Sequence, residues 1–173
     1  IKSKIVKMPS ENKTSDWFID THELMISKGY YPYEISNFSK PGLECLHNIH
    51  YWKIDPYLSF GPSAHSFDGS KRWNNARSLA QYLEKIESNK TPISKIEELS
   101  EIEKINEYLG FGLRMTKGII LNNIPKAYQE DLKNNLELIQ NKYPNCLVST
   151  PSNLALSKKG ILFSDNIIPD LML

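Results

Sequence analysis

Apolar residues in TSDWFIDTHELMISKG recur at helical spacing, with Phe18, His22 and Met25 on one face and Ile19 and Ile26 flanking it. Thr14 or Ser15 is placed to cap this helix, and Gly29 to end it in a left-handed conformation. The period then changes. Tyr31, Tyr33 and Ile35 alternate with Pro32, Glu34 and Ser36, which predicts a strand directly after the helix, with Pro32 early in it or at a sheet edge. Lys40-Pro41-Gly42 predicts a turn, Pro41 setting φ and Gly42 taking the positive value. A second strand is expected in PYLSFGPSAHSF, interrupted by Gly61, Ser63 and Ala64, and Asp68-Gly69 predicts a hairpin into SKRWNN.

Beyond the hairpin the helical period returns. Ser78 and Gln81 form a capping box for a helix over 78–89, with Leu79, Tyr82, Leu83 and Ile86 on one face. Residues 88–98, with Pro92, read as a linker. Ser100 and Glu103 open a further helix whose stripe is Ile102, Ile105, Leu109 and Leu113, ended by Gly118. Pro125 suits the first position of the next helix, with Leu132, Leu136 and Ile139 on its face and Pro144 as its stop. CLVSTPSNLALS reads as strand, turn, strand, and Ser157 caps a last helix running through Ile167 and Leu171. Helices followed by a hairpin and a helix predict a winged-helix-like module. The early helix-to-strand step reads as an α/β unit, giving an α/β chain of α+β character within this stretch.

Composition narrows the function classes. Of 173 residues, 21 are Lys or Arg and 20 Asp or Glu, a net charge of +1 that supplies no field for a nucleic acid. The tail from 122 to 173 has five lysines against five acids and no arginine, which argues against DNA binding by the winged-helix-like part. No apolar run approaches the length of a transmembrane helix, and no signal-peptide pattern is present. Cys45 and Cys146 are too few for a disulfide scaffold, so a cytoplasmic setting is expected. The chain begins Ile-Lys-Ser and reads as a piece of something longer.

The densest chemistry lies in ECLHNIHYW, residues 44–52. Cys45, His47 and His50 are three zinc-capable donors, although their spacing matches no strong zinc template. Tyr51 and Trp52 are equally suited to a core, with the histidines hydrogen-bonded nearby. A haem or porphyrin fits as well: an imidazole ligates iron, the two aromatic residues offer flat faces, and Asn48 can hydrogen-bond. Residue chemistry leaves the three open. GPSAHS is similar: small residues let the backbone approach a ligand beside His65, or form a packed corner around a satisfied histidine.

YEISNFSKPGLECLHNIHYWKIDPYLSFGPSAHSF resembles the corresponding segment of HemW-type proteins, radical SAM proteins related to the oxygen-independent coproporphyrinogen III oxidases. RWNN, EELSEIEKINEYLGFGLRMTKGI and LALSKKGILFSDNII continue the likeness in order. The resemblance implies the C-terminal remnant of a partial (β/α) barrel over 1–90, followed by a helical C-terminal domain over 91–173. In the intact protein it implies a [4Fe-4S] cluster, S-adenosylmethionine and haem. The cluster motif C-x-x-x-C-x-x-C is missing here, so the fragment itself is expected to hold none of them. His47, Asn48, Tyr51 and Trp52 correspond to the HN-x-x-YW motif of the haem-binding group, which implies haem binding with His47 as iron ligand and His50 as its competitor. Ala64 and His65 correspond to a position that contacts S-adenosylmethionine in the oxidases. A haem chaperone serving haem-accepting proteins is therefore expected. The alternatives are a coproporphyrinogen oxidase, whose fragment would be inactive alone, and a structural module that mediates homodimerisation.

Overall fold

The computed structural model describes residues 8–173, so the first seven residues of the expected 1–90 unit lie outside it. Helix α1, Glu11–Ser27, begins earlier than its apolar stripe predicts. Ser10 caps it by accepting from the Lys13 N–H at 3.3 Å, whereas Thr14 and Ser15 lie inside the first turns. Gly29 ends it with φ of 79°. His22 is buried with its Nδ1 2.9 Å from the Phe18 carbonyl, its ring packed between Phe18 and Phe38.

The strand expected after α1 shrinks to β1, Tyr31–Pro32, paired antiparallel with β2, Phe38–Ser39. Alternation fails because Glu34 and Ile35 both turn inward. The Ile35 N–H donates to the Arg114 carbonyl at 3.0 Å, and Glu34 Oε1 accepts from the Ser36 N–H at 3.0 Å and from the Asn37 amide. Leu43 N–H closes the Lys40-Pro41-Gly42 turn, with Gly42 at φ 77° as its position requires.

Helix α2, Leu46–Trp52, follows. The strand expected through 56–67 survives as an isolated bridge at Tyr57 and as β3, His65–Phe67, because positive φ at Gly61 and Ser63 turns the chain into a loop between them. Asp68 Oδ1 accepts from the Ser70 and Lys71 N–H groups and turns β3 into β4, Lys71–Asn75. Helix α3, Leu79–Glu87, is capped by Ser78, yet Leu79, Leu83 and Ile86 are exposed. The expected linker at 88–98 contains a strand instead. β5, Ile93–Glu98, pairs antiparallel with β4 and completes a β3-β4-β5 sheet.

Helix α4, Glu101–Gly112, has both halves of the Ser100–Glu103 capping box. It stops short of Gly118 because 114–116 leave the helix to bond Tyr33 and Ile35: Thr116 N–H and its hydroxyl both reach the Tyr33 carbonyl, at 3.2 and 3.0 Å. β6, Ile119–Ile120, a 3-10 turn at Leu121–Asn123, and α5, Lys126–Lys142, come next, with Pro125 just outside the helix. β7, Leu147–Ser149, and β8, Asn153–Leu156, form the predicted hairpin, and β6 adds to β8 in the order β6-β8-β7. A helix, a strand, a turn, a helix and a hairpin in this order make the winged-helix-like arrangement.

The last helix is two: α6, Lys158–Ile161, capped by Ser157, and α7, Ser164–Leu171. Gly160 sits so tightly on the Cys146 carbonyl that a Cβ there would lie 1.9 Å from the oxygen, which fixes α6 against the hairpin before the chain turns again. Leu109, Leu113, Leu132, Ile139, Leu154, Ile167 and Leu171 make the main core, and Ile35 from the first half joins it. Arg72 of β4 and Glu107 of α4 form a two-pronged ion pair at 2.9 and 3.0 Å, tying sheet to helix.

Candidate functional site

Seven residues are too few for a helix to persist alone, so α2 depends on its contacts. Its inward row is Asn48 and Trp52, one turn apart. The Asn48 amide donates to the Tyr33 hydroxyl at 3.3 Å. Trp52 packs on Phe111, ring centres 6.2 Å apart, with the Arg114 guanidinium 4.9 Å above its ring. Trp52 thus faces α4, whereas Tyr51 is exposed on the other side of the helix.

The outward row carries His47, His50 and Tyr51, all exposed, beside exposed Leu43 and Leu46. His47 stands edge-on to Tyr51 with ring centres 5.1 Å apart. Its nitrogens make no hydrogen bond among the described residues, so one is free to ligate. His50 is held differently. Its Nδ1 lies 2.6 Å from Asp55 Oδ2, which presents Nε2 outward. Tyr51 continues into an aromatic row through Tyr57, 4.9 Å away, to Phe67 of β3, a further 6.4 Å.

The zinc arrangement does not assemble. Among the described residues no group of three Cys, His, Asp or Glu side chains gathers to hold a metal ion. Cys45 is exposed at the start of α2, and Cys146 is buried in the core of the other half. Residues suited to an iron–sulfur cluster are likewise missing from this set.

At the second candidate site, Ala64 has both peptide groups engaged: its N–H donates to Gly61 and its carbonyl accepts from Asn75. His65 is exposed at the start of β3, opposite Asn74, and no hydrogen bond or ring contact joins it to α2. Sequence reasoning missed Asp55, Tyr33, Phe111 and Arg114. Asp55 lies outside any helical spacing from His50, and the others are supplied from far along the chain.

Comparison with solved structures places this fold in a known class. The chain superposes on coproporphyrinogen III oxidase HemN of Escherichia coli, described as a radical SAM enzyme, with a TM-score of 0.74 and 17% identity, over 98% of this chain and 43% of that one. The fold is thus that of part of a HemN-like protein. Sequence specifies the type: the chain is HemW-like over most of its length. It is 30% identical to the heme chaperone HemW of Bacillus subtilis over 72% of its residues, 27% to that of Lactococcus lactis over 98%, and 32% to that of Synechocystis over 72%. It spans 33%, 45% and 31% of the lengths of these relatives. No protein-family model matches the chain. Among the described residues no helix is long and apolar enough to cross a membrane.

Proposed function

We propose that this chain is the C-terminal portion of a HemW-type haem chaperone, and that the outward face of α2 binds haem with His47 as an axial ligand. The observation that carries this is the exposed row of His47, His50 and Tyr51 beside Leu43 and Leu46, on a helix pinned from behind by Asn48 and Trp52. Exposed apolar and aromatic surface around an unpartnered imidazole is what a flat, iron-bearing, largely apolar ligand needs. Cytoplasmic location, delivery to haem-accepting proteins and a homodimer belong to the same reading. So do S-adenosylmethionine contact at Ala64 and His65, and a [4Fe-4S] cluster held by residues outside this chain. The division into 1–90 and 91–173 belongs to the same reading, with β5, Ile93–Glu98, pairing back across it onto β4.

A specific contact favours a second ligand. Asp55 orients His50 as a carboxylate behind a metal-bound imidazole does, so His50 is preorganised where His47 is not. Haem titration of the chain followed by its Soret band separates the two. Loss of the band in His47→Ala, with His50→Ala and Asp55→Asn near wild type, is expected. Loss in both His50→Ala and Asp55→Asn with His47→Ala unchanged moves the ligand to His50. If none of the three matters, α2 is structural and the reading fails.

A further inference from the structure

Behind α2 lies a cleft of about 570 Å³ between the β3-β4-β5 sheet, α4 and α7. That volume is in the range of small-molecule sites. Its floor is apolar, formed by Leu99, Phe111, Ile168 and Met172. Gly110 keeps the α4 wall low, since a Cβ there would stand 3.2 Å from the Met172 methyl. Two guanidinium groups reach the cleft and differ in state. Arg72 is neutralised by its two bonds to Glu107. Arg114 makes no ion pair and no side-chain hydrogen bond among the described residues; the Nε of each of these two arginines is buried without a partner, so the difference lies in the missing counter-ion. A permanent charge without a counter-ion is best satisfied by an anion at the guanidinium's accessible edge.

We propose that this cleft takes the carboxylate end of a large apolar ligand, with Arg114 as its counter-ion. The surrounding acids decide how strong the preference is. Glu103 is engaged by Ser100, and Glu97 lies 3.6 Å from Lys95. Glu103 and Asp165 are exposed acids of the lining with no cation partner among the described residues, so water and salt weaken their repulsion more than they weaken the attraction of the half-buried Arg114. The apolar floor supplies affinity and Arg114 supplies the selection for a charged end. The cleft also touches the α2 site, since Trp52 contacts both Phe111 and Arg114 of its wall. The ligand class follows from the cleft alone. Its identification with the propionate edge of a porphyrin rests on the haem-binding reading.

Zinc protoporphyrin IX, its dimethyl ester and palmitate are the probes, with porphyrin fluorescence and calorimetry as readouts on the wild-type chain and variants. The free acid is expected to bind about tenfold or more tighter than the ester, the size of one hydrogen bond to a charged group. Arg114→Gln brings acid and ester to the same affinity, and Asp165→Asn, a surface change with little effect on folding, widens the gap. His47→Ala lowers both affinities by one factor and leaves their ratio alone. Equal binding of acid and ester by wild type, or an unchanged ratio in both Arg114→Gln and Asp165→Asn, overturns the inference while leaving haem binding intact. Palmitate binding that depends on Arg114, with no porphyrin bound, supports the cleft and removes the haem reading. Binding of none of the probes overturns both.

Discussion

Trp52 is the main clamp on α2, so Trp52→Ala tests whether the site is a locally anchored helix. Truncating a fully buried tryptophan costs about 3–5 kcal/mol, and Trp52 is half-buried, so roughly 2 kcal/mol is at stake. Its ring packs against Phe111 and Arg114, and the other inward tie is the Asn48–Tyr33 hydrogen bond. The loss therefore falls on α2 and not on the core of Leu109, Leu132, Leu154 and Ile167. A local change of about 2 kcal/mol multiplies the open population about thirtyfold. Hydrogen exchange read by mass spectrometry should show the Ile49 and Lys53 amides, which close α2 onto Cys45 and Ile49, exchanging about thirtyfold faster. Amides of α5 and α7 should keep their rates. Acceleration spread evenly over all helices, or none in α2, would refute the account of α2 as a separately anchored element.

Gly160→Ala should destabilise the chain by about 2–4 kcal/mol, combining overpacking against the Cys146 backbone with disturbance of the Ser157 N–H bond to the same carbonyl. Gly29→Ala, where nothing lies within 4 Å and only the positive φ is penalised, should cost about 1–2 kcal/mol, and thermal melts of the two variants check the order. Asp68 is held below the ordinary value of 3.8 by the backbone N–H of Lys71 and then of Ser70. Because its folded pKa is depressed, its contribution is present above the unfolded value and fades as pH falls through the folded one. Asp68→Asn should lower stability at neutral pH and flatten the acid limb of a stability–pH profile below about pH 4, as read by chemical denaturation.

Helices with a complete local signal were legible. The Ser100–Glu103 box, the Leu132–Leu136–Ile139 stripe and the Ser78 cap each act within one or two turns, so no distant residue is needed to see them. Strands were legible only as hairpins, where the turn residues sit beside them. The stretch 31–36 alternates correctly for a strand, yet tertiary partners at 114–116 pull Glu34 and Ile35 to the same side. β5 was hidden because Pro92 and a charged sequence look like a linker, and only its pairing with β4 makes it a strand. The motif residues of α2 were found, but their division into an outward row and an inward row depends on Phe111, Arg114 and Tyr33, which no local spacing reveals.

The bonds between residues 32–35 and 114–116 also impose an order of events during synthesis. Thr116 bonds Pro32 and Tyr33 across separations of 84 and 83 residues, and Ile35 waits on the Arg114 carbonyl. At about 5–20 residues per second the ribosome needs roughly 4–16 seconds between the two segments. Throughout that interval Tyr33 lacks the tie that steadies it, and Trp52 has neither Phe111 nor Arg114 to rest against. The α2 surface is thus born unclamped, and a cofactor arriving on a growing chain would meet a segment that acquires its binding face only after α4 has emerged.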